Sequence, residues 1–293
     1  MLSVQTQSKI RQLEIVTKRL MDGPLVGDDI SARRGYGVEL DQLREYQFGD
    51  DVRFIDFKSS CRLNKMMVKE CIEERNRRII LAIDTSGSSF YGSKKLRFNF
   101  IQDAAAILTL AAHWAHDSVG LIFFSDEVEC TIEPAYTKQQ INFLLQKIYN
   151  YRAEKKSQTN MNQLFRSIAH EWSKDAIVFV LSDFIVDDIE QSLRAVSASV
   201  DLVALRCYDP VERTLPGAGF VIVEDVEHDT RVLIETNDGS SASQILRQRL
   251  ENQNVLFARA GIDVLDLSYA DDICARLVEF FKRRMVHAAI RYG

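Results

Sequence analysis

The sequence has no Cys-x-x-Cys pair, no internal repeat, no low-complexity tract and no apolar stretch of membrane-spanning length. Its 5 cysteines (Cys61, Cys71, Cys130, Cys207 and Cys274) are odd in number and scattered. This argues against a disulfide framework or a cysteine zinc site, and predicts small buried thiols in a reducing compartment. A spanning helix needs roughly 18 consecutive apolar residues. The longest apolar run here, Ala104 to Ala112, is broken by Thr109 and followed by His113 and His116. No long apolar segment follows a basic start at the amino terminus, so the expected compartment is the cytoplasm. A net charge of -5 gives no whole-chain case for nucleic-acid binding. Several catalytic signatures are also missing: no Gly-x-Ser-x-Gly elbow, no Walker loop, and only two glycines in Gly35-x-Gly37, with Leu40 where a dinucleotide turn needs a third.

What is present is an ordinary globular composition, 46% hydrophobic and 27% charged over 293 residues, enough for one large or two small domains. The chain is organised around residues 77 to 89, Arg77-Arg-Ile-Ile-Leu-Ala-Ile-Asp-Thr-Ser-Gly-Ser-Ser. Numbered from Arg77 and Arg78, the apolar run Ile79 to Ile83 stops at Asp84. A β-branched run bounded by polar residues reads as a strand buried on both faces. Further strands are expected at Met66 to Ile72, Val119 to Phe124, Val128 to Ile132, Ile177 to Leu181, Leu202 to Leu205 and Val264 to Leu267. Helical spacing marks about Lys95 to His116, 137 to 149, Leu164 to Trp172, Ile189 to Ala198, Ser241 to Ala260 and a closing helix from Asp271. The alternation predicts an α/β fold, a Rossmann-like αβα sandwich with a mostly parallel central sheet.

Two parts stand apart. Residues 3 to 22 read as a helix with Ile10, Leu13, Val16 and Leu20 on one face, and residues 27 to 65 as a charge-dense irregular segment. Residues 1-75 are therefore expected to form an N-terminal extension packed on the sheet, with Met66 to Ile72 antiparallel to the central strand. Residues 76-293 form the main domain, with a hairpin (Phe220 to Val223, Val232 to Ile234) in an insertion at about 209-240.

Asp84, Ser86 and Ser88 leave the carboxyl end of the central strand on one tight turn. Thr159 opens a later helix, and Asp183 follows another fully apolar strand. Ligands bind at this edge of open α/β sheets. Hydroxyls and carboxylates are hard oxygen donors of the type Mg²⁺ prefers, with Mn²⁺ or Ca²⁺ as alternatives. Two carboxylates cancel the charge of the ion and neutral hydroxyls add none, so such a site can take a further carboxylate from a partner protein.

Asp84-x-Ser86-x-Ser88 with Thr159 and Asp183 resembles the metal-ion-dependent adhesion site of von Willebrand factor A domains, whose fold is a six-stranded αβα sandwich. Over nearly its whole length the chain also resembles the bacterial domain-of-unknown-function 58 family. The matching stretches are Arg33-Arg34-Gly35 through Leu43-Arg44-Glu45-Tyr46, Gly49 to Asp56, Val68-Lys69-Glu70, Ser182-Asp183-Phe184 and Asp209-Pro210-Val211-Glu212. Phe57 stands where that family usually has Trp, and Gln158 where Gly is usual. The resemblance implies a non-enzymatic adaptor or co-chaperone of a MoxR-type AAA+ ATPase. Two other functions compete with it. The Arg-rich segment Arg33 to Arg62 can do the binding while the metal is incidental. Alternatively, Asp84 can serve a metal-dependent phosphatase, although Ser86 replaces the second aspartate such enzymes require.

Overall fold

The computed structural model describes residues 34–47, 52–72, 77–93, 96–152, 158–173, 176–186, 188–213, 219–225, 230–235 and 241–292. The helix expected over residues 3 to 22 lies outside them. The chain divides into two compact units, one within Asp22–Asn76 and one carrying Arg77–Gly293.

The smaller unit departs from expectation. Its strand β1 (Arg34–Glu45) runs through the segment read as irregular, and β2 (Met67–Ile72) pairs antiparallel with β1. The predicted pairing of β2 with the central strand is not found; these two strands make a sheet of their own. Helix α1 (Phe57–Leu63) is capped by Asp56, whose Oδ1 accepts from the backbone N–H groups of Lys58 (3.0 Å) and Ser59 (3.2 Å).

The larger unit is built on strands β3 (Arg78–Asp84), β4 (Ser118–Phe124), β5 (Val128–Ala135), β6 (Ala176–Ser182), β7 (Asp201–Tyr208) and β10 (Asp263–Ser268). They form a 6-stranded sheet in the order β10-β7-β6-β3-β4-β5. Every pairing is parallel except that of the edge strand β5 with β4. Strands β8 (Phe220–Asp225) and β9 (Thr230–Glu235) make a separate antiparallel hairpin, as expected.

Helices cover both faces, and β3 shows why. Its side chains alternate between two layers. Ile79, Leu81 and Ile83 pack with α2 (Arg97–Trp114), α3 (Lys138–Asn150) and α8 (Ile273–Tyr292). Ile80 and Ala82 pack with α4 (Met161–Glu171), α5 (Glu190–Ser199) and α7 (Ser241–Ala260). Each fully buried Ile or Leu contributes about 1.5–3 kcal/mol relative to exposure, so only an unbroken apolar run can occupy the central strand. The six strands, mostly parallel and covered by helices on both faces, meet the expectation of a Rossmann-like αβα sandwich. Connections leave β3 and β6 in opposite directions, so a crevice opens between their carboxyl ends.

Candidate metal site at the carboxyl edge

Asp84 ends β3 and Ser182 ends β6, and the pairing of Ile83 with Leu181 brings them level. Ser182 Oγ donates to Asp84 Oδ2 at 2.5 Å, and the Ser86 backbone N–H donates to Asp84 Oδ1 at 2.9 Å. Asp84 and Ser86 are both 0% exposed. The chain then turns through a short 3-10 segment, Gly87–Phe90, which sets the Ser86 and Ser88 hydroxyl oxygens 3.1 Å apart.

Asp183 is presented by a strained turn. Phe184 is buried and sits in the left-handed region at φ 55, which a bulky side chain rarely adopts. Its N–H donates to Ser182 Oγ (3.0 Å), the Ile185 N–H donates to Asp183 Oδ1 (2.9 Å), and Gln253 Nε2 donates to the Phe184 carbonyl (2.6 Å). These bonds hold the turn in place. Burial pushes the Asp84 carboxyl up to about 7, and the negative charge of Asp183 adds to the rise, while donors from Ser182 and Ser86 pull the other way.

Thr159 is half-buried. The next residue, Asn160, donates its N–H to the Ser125 carbonyl (2.8 Å) and caps α4 by accepting from the Gln163 N–H (3.1 Å). Ser125 follows β4, and Phe124 at the end of β4 accepts from the Thr85 N–H at 2.8 Å. The Thr159 loop is therefore anchored at the same edge, one strand across from Asp84. Asp84, Ser86 and Ser88 are linked by direct hydrogen bonds, and Arg97 joins Asp183 to the Ser88 carbonyl.

The sequence reading gave no role to five residues here. Arg97, 6% exposed, opens α2 and reaches three elements. Its guanidinium pairs with Asp183 Oδ2 and with Glu212 Oε1, and Nη1 donates to the Ser88 carbonyl at 3.1 Å. Burial alone would lower its pKa, but the Asp183 and Glu212 carboxylates outweigh that and hold it above the ordinary value. A cation at a helix N-terminus opposes the helix dipole, which is the one signal in the sequence that Arg97 has carboxylate partners. Glu212 lies in the one-turn helix α6 (Pro210–Arg213), and its Oε2 accepts from the Asp209 N–H at 3.0 Å. Asp209 in turn accepts from the Ser93 N–H (2.6 Å) and hydroxyl (2.9 Å). Glu129, on β5, receives the hydroxyls of Ser125 (2.7 Å) and Tyr151 (2.6 Å) and lies 2.8 Å from Thr85 Oγ1. Ser182, the fifth, acts through its bond to Asp84.

The donor set fits a hard divalent cation. Two carboxylates crowd a buried turn beside paired hydroxyls. Asp84 keeps the ordinary charge of a carboxylate only at a cost, which a nearby cation would remove. Among the described residues no group of three or more His, Cys, Asp or Glu side chains is arranged to hold a metal ion, so serine hydroxyls are needed to complete any such site.

A Rossmann-like sandwich with an acidic, hydroxyl-bearing turn at its topological switch point defines the class. The chain belongs to the family described as Protein of unknown function DUF58, which it matches over residues 42–255. An uncharacterized protein of Mycobacterium tuberculosis is 25% identical over 221 residues, 74% of this chain and 70% of that protein. Among solved structures, the conserved hypothetical protein BatB from Bacteroides thetaiotaomicron is similar with a TM-score of 0.48 and 13% identity, covering 71% of this chain and 98% of that one. An aerotolerance-related membrane protein from Bacteroides fragilis gives 0.47 and 11%, covering 71% and 99%. Among the described residues here, no helix is long and apolar enough to cross a membrane.

Proposed function

We propose that this chain is a non-catalytic, cation-dependent protein-interaction module. In this reading Ser86 and Ser88 hold Mg²⁺ through their hydroxyl oxygens, Asp84 and Asp183 balance its charge, and Thr159 completes the set directly or through water. A divalent cation at this place supplies an electrophilic position that accepts an Asp or Glu side chain of a partner. The observation that carries the reading is the fully buried Asp84 carboxylate, within reach of the Asp183 charge and beside a Ser86–Ser88 hydroxyl pair at 3.1 Å. Family resemblance supports a MoxR-type AAA+ ATPase, or its substrate, as the partner, and the cytoplasm as the place where they meet. The boundary between the two compact units, after Asn76, supports the start of the interaction domain, 76-293; the family-specific extension over residues 1-75 is the part of the reading that rests on resemblance.

Calorimetric titration with MgCl2 tests the metal, and affinity capture with and without chelator tests the partner. Mg²⁺ uptake that Ser86→Ala abolishes, together with an ATPase retained only when Mg²⁺ is present, is the expected result. A folded wild-type chain that takes up neither Mg²⁺ nor Mn²⁺ would falsify the reading.

A further inference from the structure

Arg97 is a feature of this edge that a simple oxygen cage does not need. It is a buried cation in contact with two elements of the candidate site: the Ser88 carbonyl and the Asp183 carboxylate. Asp183 has both oxygens engaged, Oδ2 by Arg97 and Oδ1 by the Ile185 N–H. A positive charge placed there opposes a second positive charge arriving at the same turn. Glu212 counters it from the other side: its Oε1 takes Arg97 Nη2, and its Oε2 is fixed by the Asp209 N–H. The Glu212 side chain is 37% exposed, whereas that of Arg97 is 4% exposed. The acceptor is thus reachable from solvent, while the cation it holds is not.

We propose that Arg97 is the resident counter-ion of Asp183, and that Glu212 sets the divalent-cation affinity of the site by governing how strongly that guanidinium bears on Asp183. The proposal rests on the cation-binding reading above and names its regulation. Arg97 is a positioning residue here, acting on the site through Asp183 and the Ser88 carbonyl. With Glu212 ionised and in place, Arg97 is shared and its charge is compensated. With Glu212 neutral or drawn away, the whole guanidinium charge falls on Asp183. The Pro210–Arg213 turn therefore becomes a handle: a partner that pulls it outward loosens the cation. By thermodynamic reciprocity, cation binding changes the protection of that turn.

The test is a calorimetric titration with MgCl2 on the full chain, in parallel with hydrogen exchange at residues 209–213. Loss of the Glu212 charge in Glu212→Gln is expected to weaken Mg²⁺ binding about tenfold, the size of a single uncompensated charge close to a divalent ion in a partly solvated site. Loss of the Arg97 charge in Arg97→Met is expected to tighten it, the reverse of what a merely structural residue would do. Arg97→Lys keeps the charge and should stay nearer to the wild type. Glu171→Gln, which deletes an exposed charge at the far end of α4, should leave the affinity unchanged. Mg²⁺ should also alter exchange at 209–213 in the wild type and lose that effect in Glu212→Gln. Equal affinities for wild type and Glu212→Gln overturn the proposal, as does a folded Arg97→Met protein that binds more weakly. If Arg97→Met does not fold, Glu212→Gln decides alone. A wild type that binds no cation sinks the underlying reading instead, so the two failures are distinguishable.

Discussion

Asp84, Asp183 and Asp117 are all buried carboxylates in the larger unit, but their settings differ. Asp84 and Asp183 meet at the carboxyl edge, whereas Asp117 lies at the opposite edge, just ahead of β4. Asp117 Oδ1 accepts from the Arg77 N–H at 3.1 Å. Burial pushes its carboxyl up from 3.8 to about 6, against the pull of the Arg77 charge and N–H and of His116. The sign follows from linkage. An acid whose pKa is raised on folding holds its proton longer in the native state. Stability therefore falls as pH rises from about 4 through about 6, and stays reduced above that. Asp117→Asn keeps an acceptor for Arg77 and removes the charge. It is expected to be near-neutral at pH 4 and to stabilise the chain by about 1–3 kcal/mol at pH 7.5, measured by denaturant unfolding at the two pH values. A variant destabilised equally at both would show that the side chain acts by packing alone.

Elements show which parts of the structure were readable and why. Strands β3 and β6 are apolar runs between their end residues, and β7 holds another, Leu202 to Leu205, ahead of the buried Arg206; such runs mark strands covered on both faces. Their polar exits made Asp84, Ser86, Ser88 and Asp183 legible as neighbours. Arg97 and Glu212 were not, because an ion pair between a helix start and a later turn leaves no periodic trace. Strand β1 was hidden for a different reason. Tyr36, Val38 and Leu40 do alternate, but glycines and charges lie between them, and the pairing with β2 shifts register between Arg34 and Glu39 and again between Leu40 and Gln42. Such irregularities break the alternation that identifies a strand. Strand β5 likewise runs past Ile132, where the sequence pattern ended it, and on through Pro134; on an edge strand the missing N–H can face away from the sheet. Its partner β4 imposes a sharper constraint. A Cβ added at Gly120 would sit 2.7 Å from the Ile132 carbonyl oxygen of β5 and 3.0 Å from the Pro134 nitrogen. Both are backbone atoms and cannot rotate aside. Gly120→Ala is expected to cost about 1–3 kcal/mol, read as a lower thermal midpoint. An unchanged midpoint would mean that the edge strand yields freely.

At the scale of the whole molecule, the cysteines are distributed unequally. The sequence suggested buried thiols throughout. Cys207 and Cys274 in the larger unit are buried, but Cys61 in the smaller one is exposed. A helix of one or two turns such as α1 buries no side chain, and its cysteine goes with it into solvent. Cys207, at 0% exposed, lies in the middle layer of the sandwich, and burial pushes its thiol up to about 12. Only a thiolate reacts with an alkylating reagent. The chain thus carries its own reporters. Under native conditions an alkylating dye should modify Cys61 within minutes. Cys207 should wait for the sandwich to open, at a rate set by global unfolding. Peptide mass mapping over a time course reads both at once, and a Cys207 that labelled as quickly as Cys61 would mean the central layer breathes without unfolding. A thiol seated under the candidate site also makes a tracer-free gauge of ligand action: whatever binds the folded form should slow the loss of that thiol in proportion to its concentration, even before the ligand is identified.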